Sequence, residues 1–431
     1  MNGAAKHRSA LRRAAAISLA LLSLGGVSAA QEHASLAVGA GAIGLVTNAS
    51  NTPGNRELTE AYLTQPILAV NLHVGWLQAT GMFNLEGATL RRGELDLGEW
   101  GEGYVDRRHP HAYVHELMAG TAWHVHGVDA SLYAGRGFVP FGSDDPMSRP
   151  FVSYPVDHHF AQILERLTVV GAAAVGPLAV EGSIFGGDEP ADPSTLNLWT
   201  RFGDSWSMRG TLFGQRVASA LSDFELSGSY ANVKSPEFRA GQGLDQRKLH
   251  GALRMARSGG TVARYALIEI ARTTDVDRGR PLYTFNAALA EGALCRLGFG
   301  IAARLERSDR PEEERLLDLF RSARPATDLS ILGITRWTTV TGAVTTPAID
   351  ARIFSASPFV EVARITADRT SAALFDPVLF YGSSQMWRAA TGMRVRFGHD
   401  HGRMGRYGVG SPLAPAHFIH HDMSDRNRCF S

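Results

Sequence analysis

Cysteine is scarce in this chain of 431 residues, which contains only Cys295 and Cys429. Small exported domains that lack a sufficient core depend on several disulfides, and two cysteines cannot supply such a framework. Lysine is equally rare, with three copies against 40 arginines, and the formal net charge is only +1. Because a nearly neutral chain has no general attraction for polyanions, the sequence predicts no nucleic-acid partner.

Long hydrophobic runs are also missing, apart from a short one near the N-terminus. A basic segment from Lys6 to Arg13 precedes the apolar run Ala14–Val27, and the small residues Ser28–Ala30 follow it. This pattern is typical of a secretory signal peptide and is too short for a transmembrane helix. We therefore predict a signal peptide at residues 1–30. Its removal takes away four basic residues and no acidic one, which changes the formal net charge to −3.

Strict alternation of apolar and polar residues is the clearest pattern in the rest of the chain. Between Trp387 and Phe397, apolar side chains dominate one face, whereas Arg388, Arg394 and Arg396 share the other face. A strand produces this separation because successive side chains point to opposite sides, whereas a helix would scatter the arginines. Ten steps span roughly 33 Å, or about 25 Å when tilted, which is the height of the apolar band of an outer-membrane barrel.

Alternation recurs along the chain. It appears in the segments Leu68–Val74, Leu77–Glu86, Met208–Gly214, Asp223–Tyr230, Leu249–Met255 and Ala293–Glu306, the last interpreted as one strand. We predict an all-β fold, a transmembrane antiparallel β-barrel of about 16 strands (range 14–18) that covers residues 31–397. Hairpin turns are expected at Gly127, Gly176-Pro177 and Ser258–Gly260, and a small helix is expected within Asp309–Asp328. A soluble exported β-protein is the alternative, since a sandwich also alternates.

The last alternating segment resembles the end of Gram-negative outer-membrane β-barrel proteins of the porin-like kind, without pointing to one functional family. Gly392, Val395 and Phe397 match the glycine, apolar and aromatic positions of the signal that the barrel assembly machinery reads, although Ala390 stands where a polar residue is expected. The resemblance implies an outer-membrane location, with lipid and the assembly machinery as partners. It also leaves residues 398–431 as a Gly/His-rich C-terminal tail, either folded against the barrel or disordered.

Histidine clusters suggest a metal site. Seven histidines lie between His109 and His159, and five lie between His399 and His421. Histidines spaced two apart point the same way in extended chain, and paired imidazoles suit Cu²⁺, Zn²⁺ or Ni²⁺. The candidate ligands are His109, His111, His115, His124, His126, His399, His401, His420 and His421. Histidine that merely hydrogen-bonds water is the alternative, and otherwise no cofactor is expected.

Charged residues on the predicted inner faces suggest how a pore would select solutes. The candidates are Arg209, Arg254, Arg296, Arg304, Arg388, Arg394, Arg396, Glu225 and Glu306. Opposed rings of charge filter solutes, and the excess of arginine suggests a preference for anions. The main hypothesis is a passive outer-membrane pore for small hydrophilic solutes or ions, and the alternative is a barrel that binds or transports transition metals.

An enzyme is not expected. Asp157 and His159 have the spacing of a catalytic pair of the omptin kind, but Asp144 and Asp145 are adjacent and would point to opposite faces of a strand. No nucleophile elbow, phosphate loop or dinucleotide fingerprint is present. The oligomeric state is not marked by any sequence feature.

Overall fold

The chain folds into a wall of antiparallel strands. The structure, a computed structural model, describes residues 34–52, 56–89, 112–143, 145–156, 158–190, 193–257, 262–313, 331–351, 354–370, 375–398 and 403–410. The predicted signal peptide therefore lies outside the described residues. Within them, no helix is long and apolar enough to cross a membrane.

Seventeen strands are present in the described part of the chain. The first nine are β1 Ala34–Thr52, β2 Arg56–Val74, β3 Leu77–Asn84, β4 Val114–Val125, β5 Val128–Gly137, β6 Arg166–Val175, β7 Leu178–Phe185, β8 Ser205–Phe213 and β9 Phe224–Val233. The others are β10 Asp245–Arg257, β11 Ala263–Asp277, β12 Arg280–Arg296, β13 Phe299–Glu313, β14 Ile331–Thr345, β15 Ile349–Ala351, β16 Phe354–Arg369 and β17 Gln385–Gly398. Short α-helices occur at Glu86–Thr89, His158–Ala161 and Pro377–Tyr381, and 3₁₀ turns at Pro146–Ser148, Trp199–Arg201, Gly214–Arg216, Ser219–Leu221 and Gly408–Gly410.

Each strand pairs with its neighbour in sequence, and the first strand pairs with the last. Residues 39–49 of β1 run antiparallel to residues 398–388 of β17, which closes the sheet. The short strand β15 pairs with the start of β16, and β14 pairs with the rest of β16. The two strands β14 and β15 therefore occupy a single strand position in the barrel. The result is a closed antiparallel barrel of 16 strands, which confirms the predicted fold class. Because the first strand pairs with the last, the sheet has no terminal edge strand within the described residues.

The two ends of the barrel differ. At the end where β1 begins and β17 ends, which we name the terminal end, most connections are short turns, such as Gly75-Trp76, Gly127 and Gly176-Pro177. The opposite, far end carries the long connections, including residues 85–113, 138–165 and 186–204. The predicted turns at Gly127 and Gly176-Pro177 are present, and Ser258–Gly260 lies outside the described residues. Unequal connections of this kind are characteristic of outer-membrane barrels.

The outer face is an apolar band. Ile268, Ile270 and Leu305 each expose more than half of their side-chain surface. Outward-facing aromatic residues flank the band, with Phe299 and Phe397 at the terminal end and Trp387 at the far end. A water-soluble barrel rarely exposes so continuous an apolar surface, whereas lipid contact explains it.

Two expectations about chain segments were wrong. Ala293–Glu306 is not one strand, because a two-residue turn at Leu297-Gly298, both with positive φ, separates β12 from β13. The predicted helix is contradicted at its start, since β13 continues to Glu313 and Pro311 pairs with Ile334 of β14. Residues 314–328 of that prediction lie outside the described part of the chain.

Candidate functional site in the barrel lumen

The connection between β5 and β6 folds into the barrel instead of standing above it. We name residues 138–165 the inner loop; it is described except at residues 144 and 157. Four prolines keep it out of the sheet, while Phe141, Phe151 and Tyr154 are almost completely buried. Asp145 begins a short 3₁₀ turn by accepting a hydrogen bond from the Met147 amide at 2.8 Å. The inner loop therefore occupies lumen space that would otherwise hold water.

Carboxylates on the wall hold the backbone of the inner loop. Glu361 of β16 accepts hydrogen bonds from the amides of Val152 at 2.9 Å and Ser153 at 3.2 Å. Glu306 of β13 accepts one from the Val156 amide at 2.8 Å. Because a buried amide without an acceptor is costly, these carboxylates fix where the loop crosses the lumen.

A buried charge network joins the same loop to β11, β12 and β13. Arg149 donates to Glu269 at 2.7 Å and lies 3.6 Å from Glu291. Arg304 donates from Nε to Glu291 at 2.8 Å and from Nη1 to the Ser153 carbonyl at 2.9 Å. All four charged side chains are essentially inaccessible to water. Such pairs are stable only when their hydrogen-bonding capacity is well matched, so the network defines one position for the loop.

A second segment enters the lumen from the C-terminal side. Residues Arg403–Gly410, named here the tail segment, follow β17 and lie against strands β4 to β9. Arg403 donates to Glu225 at 2.6 Å, and Arg406 donates to the same carboxylate at 2.9 Å. Arg406 also lies 3.5 Å from Glu181. At least this part of the predicted tail folds against the barrel, from the inside.

Tyr407 anchors the tail segment most deeply. Its hydroxyl donates to Glu116 at 2.5 Å and accepts the amide hydrogen of Phe138 at 3.1 Å. Its ring lies 5.6 Å from that of Tyr133, and its carbonyl accepts a hydrogen bond from Ser131. Burial, together with the adjacent Glu116 carboxylate, raises the pKa of Tyr407 well above its usual value. The phenol is therefore neutral and acts as a donor.

Arg209 of β8 connects the wall with both inserted segments. It forms a two-pronged ion pair with Glu181, with distances of 2.6 and 2.7 Å. The same guanidinium donates to the carbonyl of Gly142 in the inner loop at 3.3 Å and to that of Gly405 in the tail segment at 2.8 Å. The planar fork of arginine makes this simultaneous contact possible.

A cavity remains at the far end, between the inner loop and the wall of β9 and β10. It has a volume of about 450 Å³, including space open to solvent. Its lining carries both signs of charge, with the buried Lys248 and Arg166 near Glu165 and Glu189.

The structure places the sequence-predicted charges in three groups. Those buried within the lumen are Arg209, Arg304, Arg388, Glu225 and Glu306. Those half-buried on the lumen face toward the terminal end are Arg254, Arg394 and Arg396. Arg296 is the exception and a correction, since it is exposed on the outer face. The turn at Leu297-Gly298 reverses the chain, so the inward positions of β12 are those of Glu291, Ala293 and Cys295.

The described histidines do not gather into a metal site. His115 is buried and lies 2.5 Å from Glu165, whereas His124 is exposed near the terminal end and bonds Asp129 at 2.8 Å. His126 occupies the turn after β4. No group of three potential ligands is close enough to hold a metal ion within the described ranges. The remaining candidates, which lie outside those ranges, are His109, His111, His399, His401, His420 and His421. For them, metal binding stays a prediction.

The proposed assembly residues lie at the closing seam. Gly392 faces β1, and a Cβ atom there would come within 2.2 Å of the Gly44 carbonyl oxygen. The glycine is therefore required by the close approach of β1 and β17. Phe397 is exposed on the outer face, next to the ring of Phe354 at 5.1 Å. Recognition by the assembly machinery stays a prediction.

Sequence reasoning missed most of the acidic partners and both inserted segments. Glu269 stands between Ile268 and Ile270, and Glu361 stands between two valines. In a strand whose neighbours on either side are apolar and face lipid, a lone glutamate must face the lumen. That signal was available in the sequence. By contrast, the burial of Arg149 and Tyr407 has no local signal, because neither belongs to a strand.

Solved structures with a similar fold are outer-membrane barrels. An anion-selective porin from Comamonas acidovorans is 8% identical, with a TM-score of 0.47, covering 85% of this chain and 100% of that chain. Salmonella typhi OmpF, in complex with daunomycin, is 11% identical, with a TM-score of 0.45 and coverages of 84% and 97%. Pseudomonas aeruginosa OccK2, in complex with glucuronate, is 9% identical, with a TM-score of 0.38 and coverages of 84% and 98%. No protein-family model and no curated protein sequence matches the chain. These similarities concern the fold alone.

Proposed function

We propose that the chain is an outer-membrane pore-type barrel for the passive passage of small hydrophilic solutes. The observation that carries this proposal is the contrast between the two faces of one closed sheet. Outward residues such as Ile270 and Leu305 are apolar and exposed, whereas inward residues such as Glu269 and Arg304 are charged. A soluble barrel needs the opposite arrangement, so this contrast argues against the exported soluble alternative.

A preference for anions is the finer part of the proposal. Arg254, Arg394 and Arg396 lie on the lumen face near the terminal end, where they give that mouth a basic lining. Because a charged ring at a mouth enriches ions of opposite sign, this lining favours anionic solutes.

Two measurements test the pore itself. The folded barrel should migrate differently on unboiled and boiled detergent gels and should fractionate with outer membranes. Reconstituted into planar bilayers, the native chain or a variant with a displaced tail segment should conduct ions. Recovery in the soluble periplasmic fraction, together with no conductance from either chain, would overturn the proposal.

Selectivity is tested separately by reversing the charge at the mouth. In Arg394→Glu/Arg396→Glu the anion-to-cation permeability ratio should fall by roughly two- to tenfold, because a basic lining becomes acidic. Arg278→Glu is the matched control, since that side chain is 94% exposed in a far-end turn. The readout is the reversal potential under a salt gradient. An unchanged permeability ratio in the double variant would refute the proposed anion preference without contradicting the proposed pore.

A further inference from the structure

The tail segment lies beyond the last strand of the barrel and yet packs closely inside the lumen. Five of its residues are buried, and they include Met404, Arg406, Tyr407 and Val409. From this fit we propose that Arg403–Gly410 is a built-in plug that closes one side of the lumen. The inference rests on the proposed pore function and adds a means of closure to it.

Charge complementarity is the first argument. The wall of β4, β7 and β9 presents Glu116, Glu181 and Glu225 to the lumen. The tail segment donates hydrogen bonds to Glu116 and Glu225, and its Arg406 lies 3.5 Å from Glu181. Two arginines share Glu225, and the tyrosine hydroxyl bonds Glu116. Glu181 is already paired with Arg209 of the wall, so Glu116 and Glu225 are the carboxylates to which the tail segment donates hydrogen bonds. Charge-assisted hydrogen bonds of this kind fix the position of the segment.

Shape is the second argument. Gly408 has a φ of +57°, and a Cβ atom there would lie 2.4 Å from the Cβ atom of Ser131. On one side of it, Met404 packs in a cluster with Ile67 and Phe138. On the other side, Val409 packs in a cluster with Phe213 and small residues of β6 and β7. The segment is thus seated by steric constraint and apolar contact as well as by charge.

Position is the third argument, because the two inserted segments occupy different parts of the lumen. Residues 145–156 of the inner loop bind carboxylates of β11, β12, β13 and β16, such as Glu269 and Glu361. The tail segment binds carboxylates of β4, β7 and β9. Residues 138–143 of the inner loop pack against the far-end parts of β7 and β9, for instance on Phe185 and Val233. The tail segment fills the same side nearer the terminal end, where it contacts Phe213 and Glu225. Removing the tail segment should therefore widen the lumen along this side nearer the terminal end.

The proposed plug can be displaced in two independent ways. Arg403→Glu/Arg406→Glu places two negative charges against Glu225 and Glu181, and Gly408→Val introduces a side chain where φ and Ser131 forbid one. Arg278→Glu is the charge control, and Gly210→Val is the glycine control, since a Cβ atom at Gly210 meets nothing within 4 Å. Cys295 is disulfide-bonded. All chains are therefore reduced with dithiothreitol before measurement.

Single-channel conductance in planar bilayers is the primary readout, with heat-modifiable gel migration as the check that each barrel is folded. We expect both displaced variants to conduct roughly two- to tenfold more than the native chain, and both controls to match the native chain. A second readout is trypsin, which should cut after Arg403 or Arg406 in Gly408→Val and leave these bonds intact in the native chain.

The outcomes separate the plug from the pore. If the native chain conducts as well as both displaced variants, the plug is refuted and the pore stands. If no chain conducts, even after trypsin has removed the tail of Gly408→Val, both proposals fail. If the tail of the folded native chain is cut as fast as that of Gly408→Val, the segment is not seated and the plug is refuted.

Discussion

Replacing Arg304 by methionine should destabilise the barrel strongly, because this arginine joins a wall strand to the inner loop. Its guanidinium bonds Glu291 at 2.8 Å and the Ser153 carbonyl at 2.9 Å, and it lies 4.2 Å from the ring centre of Phe151. Methionine is unbranched and flexible and fills much of the same volume, although it is shorter. The substitution therefore removes charge and hydrogen bonds while disturbing the packing little.

The expected loss in the free energy of unfolding depends on the partners that Glu291 and the Ser153 carbonyl keep after the substitution. Glu291 keeps the Tyr265 hydroxyl at 2.8 Å and Arg149 at 3.6 Å, but its closest cation is gone. Breaking a buried ion pair typically costs about 3–5 kcal/mol, and a buried carbonyl without its donor costs about 1–3 kcal/mol. Because Arg149 takes up part of the uncompensated charge, we expect a loss of about 3–4 kcal/mol in the free energy of unfolding.

Unfolding of the reconstituted barrel in urea, followed by tryptophan fluorescence, measures this loss. Arg264→Met is the control, since Arg264 is exposed on the outer face of β11 and should change stability by less than about 0.5 kcal/mol. The double variant Arg304→Met/Glu291→Gln removes both charges and should recover about half of the loss. A loss below about 1 kcal/mol for Arg304→Met, or a double variant as unstable as the single, would refute the role assigned to this pair.

Two further predictions concern the attachments of the inserted segments. Glu361→Ala leaves the amides of Val152 and Ser153 without their acceptor, so these amides should exchange hydrogen roughly tenfold faster or more, as followed by mass spectrometry; unchanged exchange would contradict the anchor. The raised pKa of Tyr407 predicts that the contribution of its hydroxyl to the seating of the tail segment is fully present below about pH 10, the ordinary tyrosine value, and is lost as the pH rises toward the folded pKa. Conductance should therefore increase between pH 10 and 11 in the native chain. Tyr407→Phe should lack this alkaline component, and an identical increase in that variant would exclude Tyr407 as its cause.

The barrel was predictable because the physical constraint on its strands is local. Lipid on one side and a polar lumen on the other impose a period of two along each strand, and Trp387–Phe397 displays that period without interruption. The error at Ala293–Glu306 has an equally local cause. Leu297 occupies a turn position with positive φ, where glycine or asparagine would be the recognisable signal. The apolar alternation also continues across this turn, so nothing in the pattern marked the reversal.

The contents of the lumen were not predictable in the same way, because the partners are distant in sequence. Glu361 holds amides more than 200 residues away, and Tyr407 bonds a carboxylate 291 residues away. Neither the inner loop nor the tail segment has a regular alternation of apolar and polar residues that would predict burial. Only the carboxylate on the wall has a sequence signal in each contact, namely a single glutamate between residues that face lipid. This signal predicts that the carboxylate has a partner in the lumen, but it does not identify the segment that supplies the partner.

The ion pairs and hydrogen bonds that help to hold the tail segment have a consequence for the opening of the lumen. A segment packed by apolar contacts leaves exposed apolar surface on both sides when it departs, and that surface is costly in water. Arg209 holds the Gly405 carbonyl, and Glu225 holds two arginines of the tail segment, so water and small ions can replace most of these contacts. Since a buried ion pair contributes little net stability compared with an apolar replacement, the polar lining lowers the free-energy difference between filled and hydrated states. We therefore expect the wall, which is held by its own strand pairing, to stay intact when the tail segment leaves the lumen.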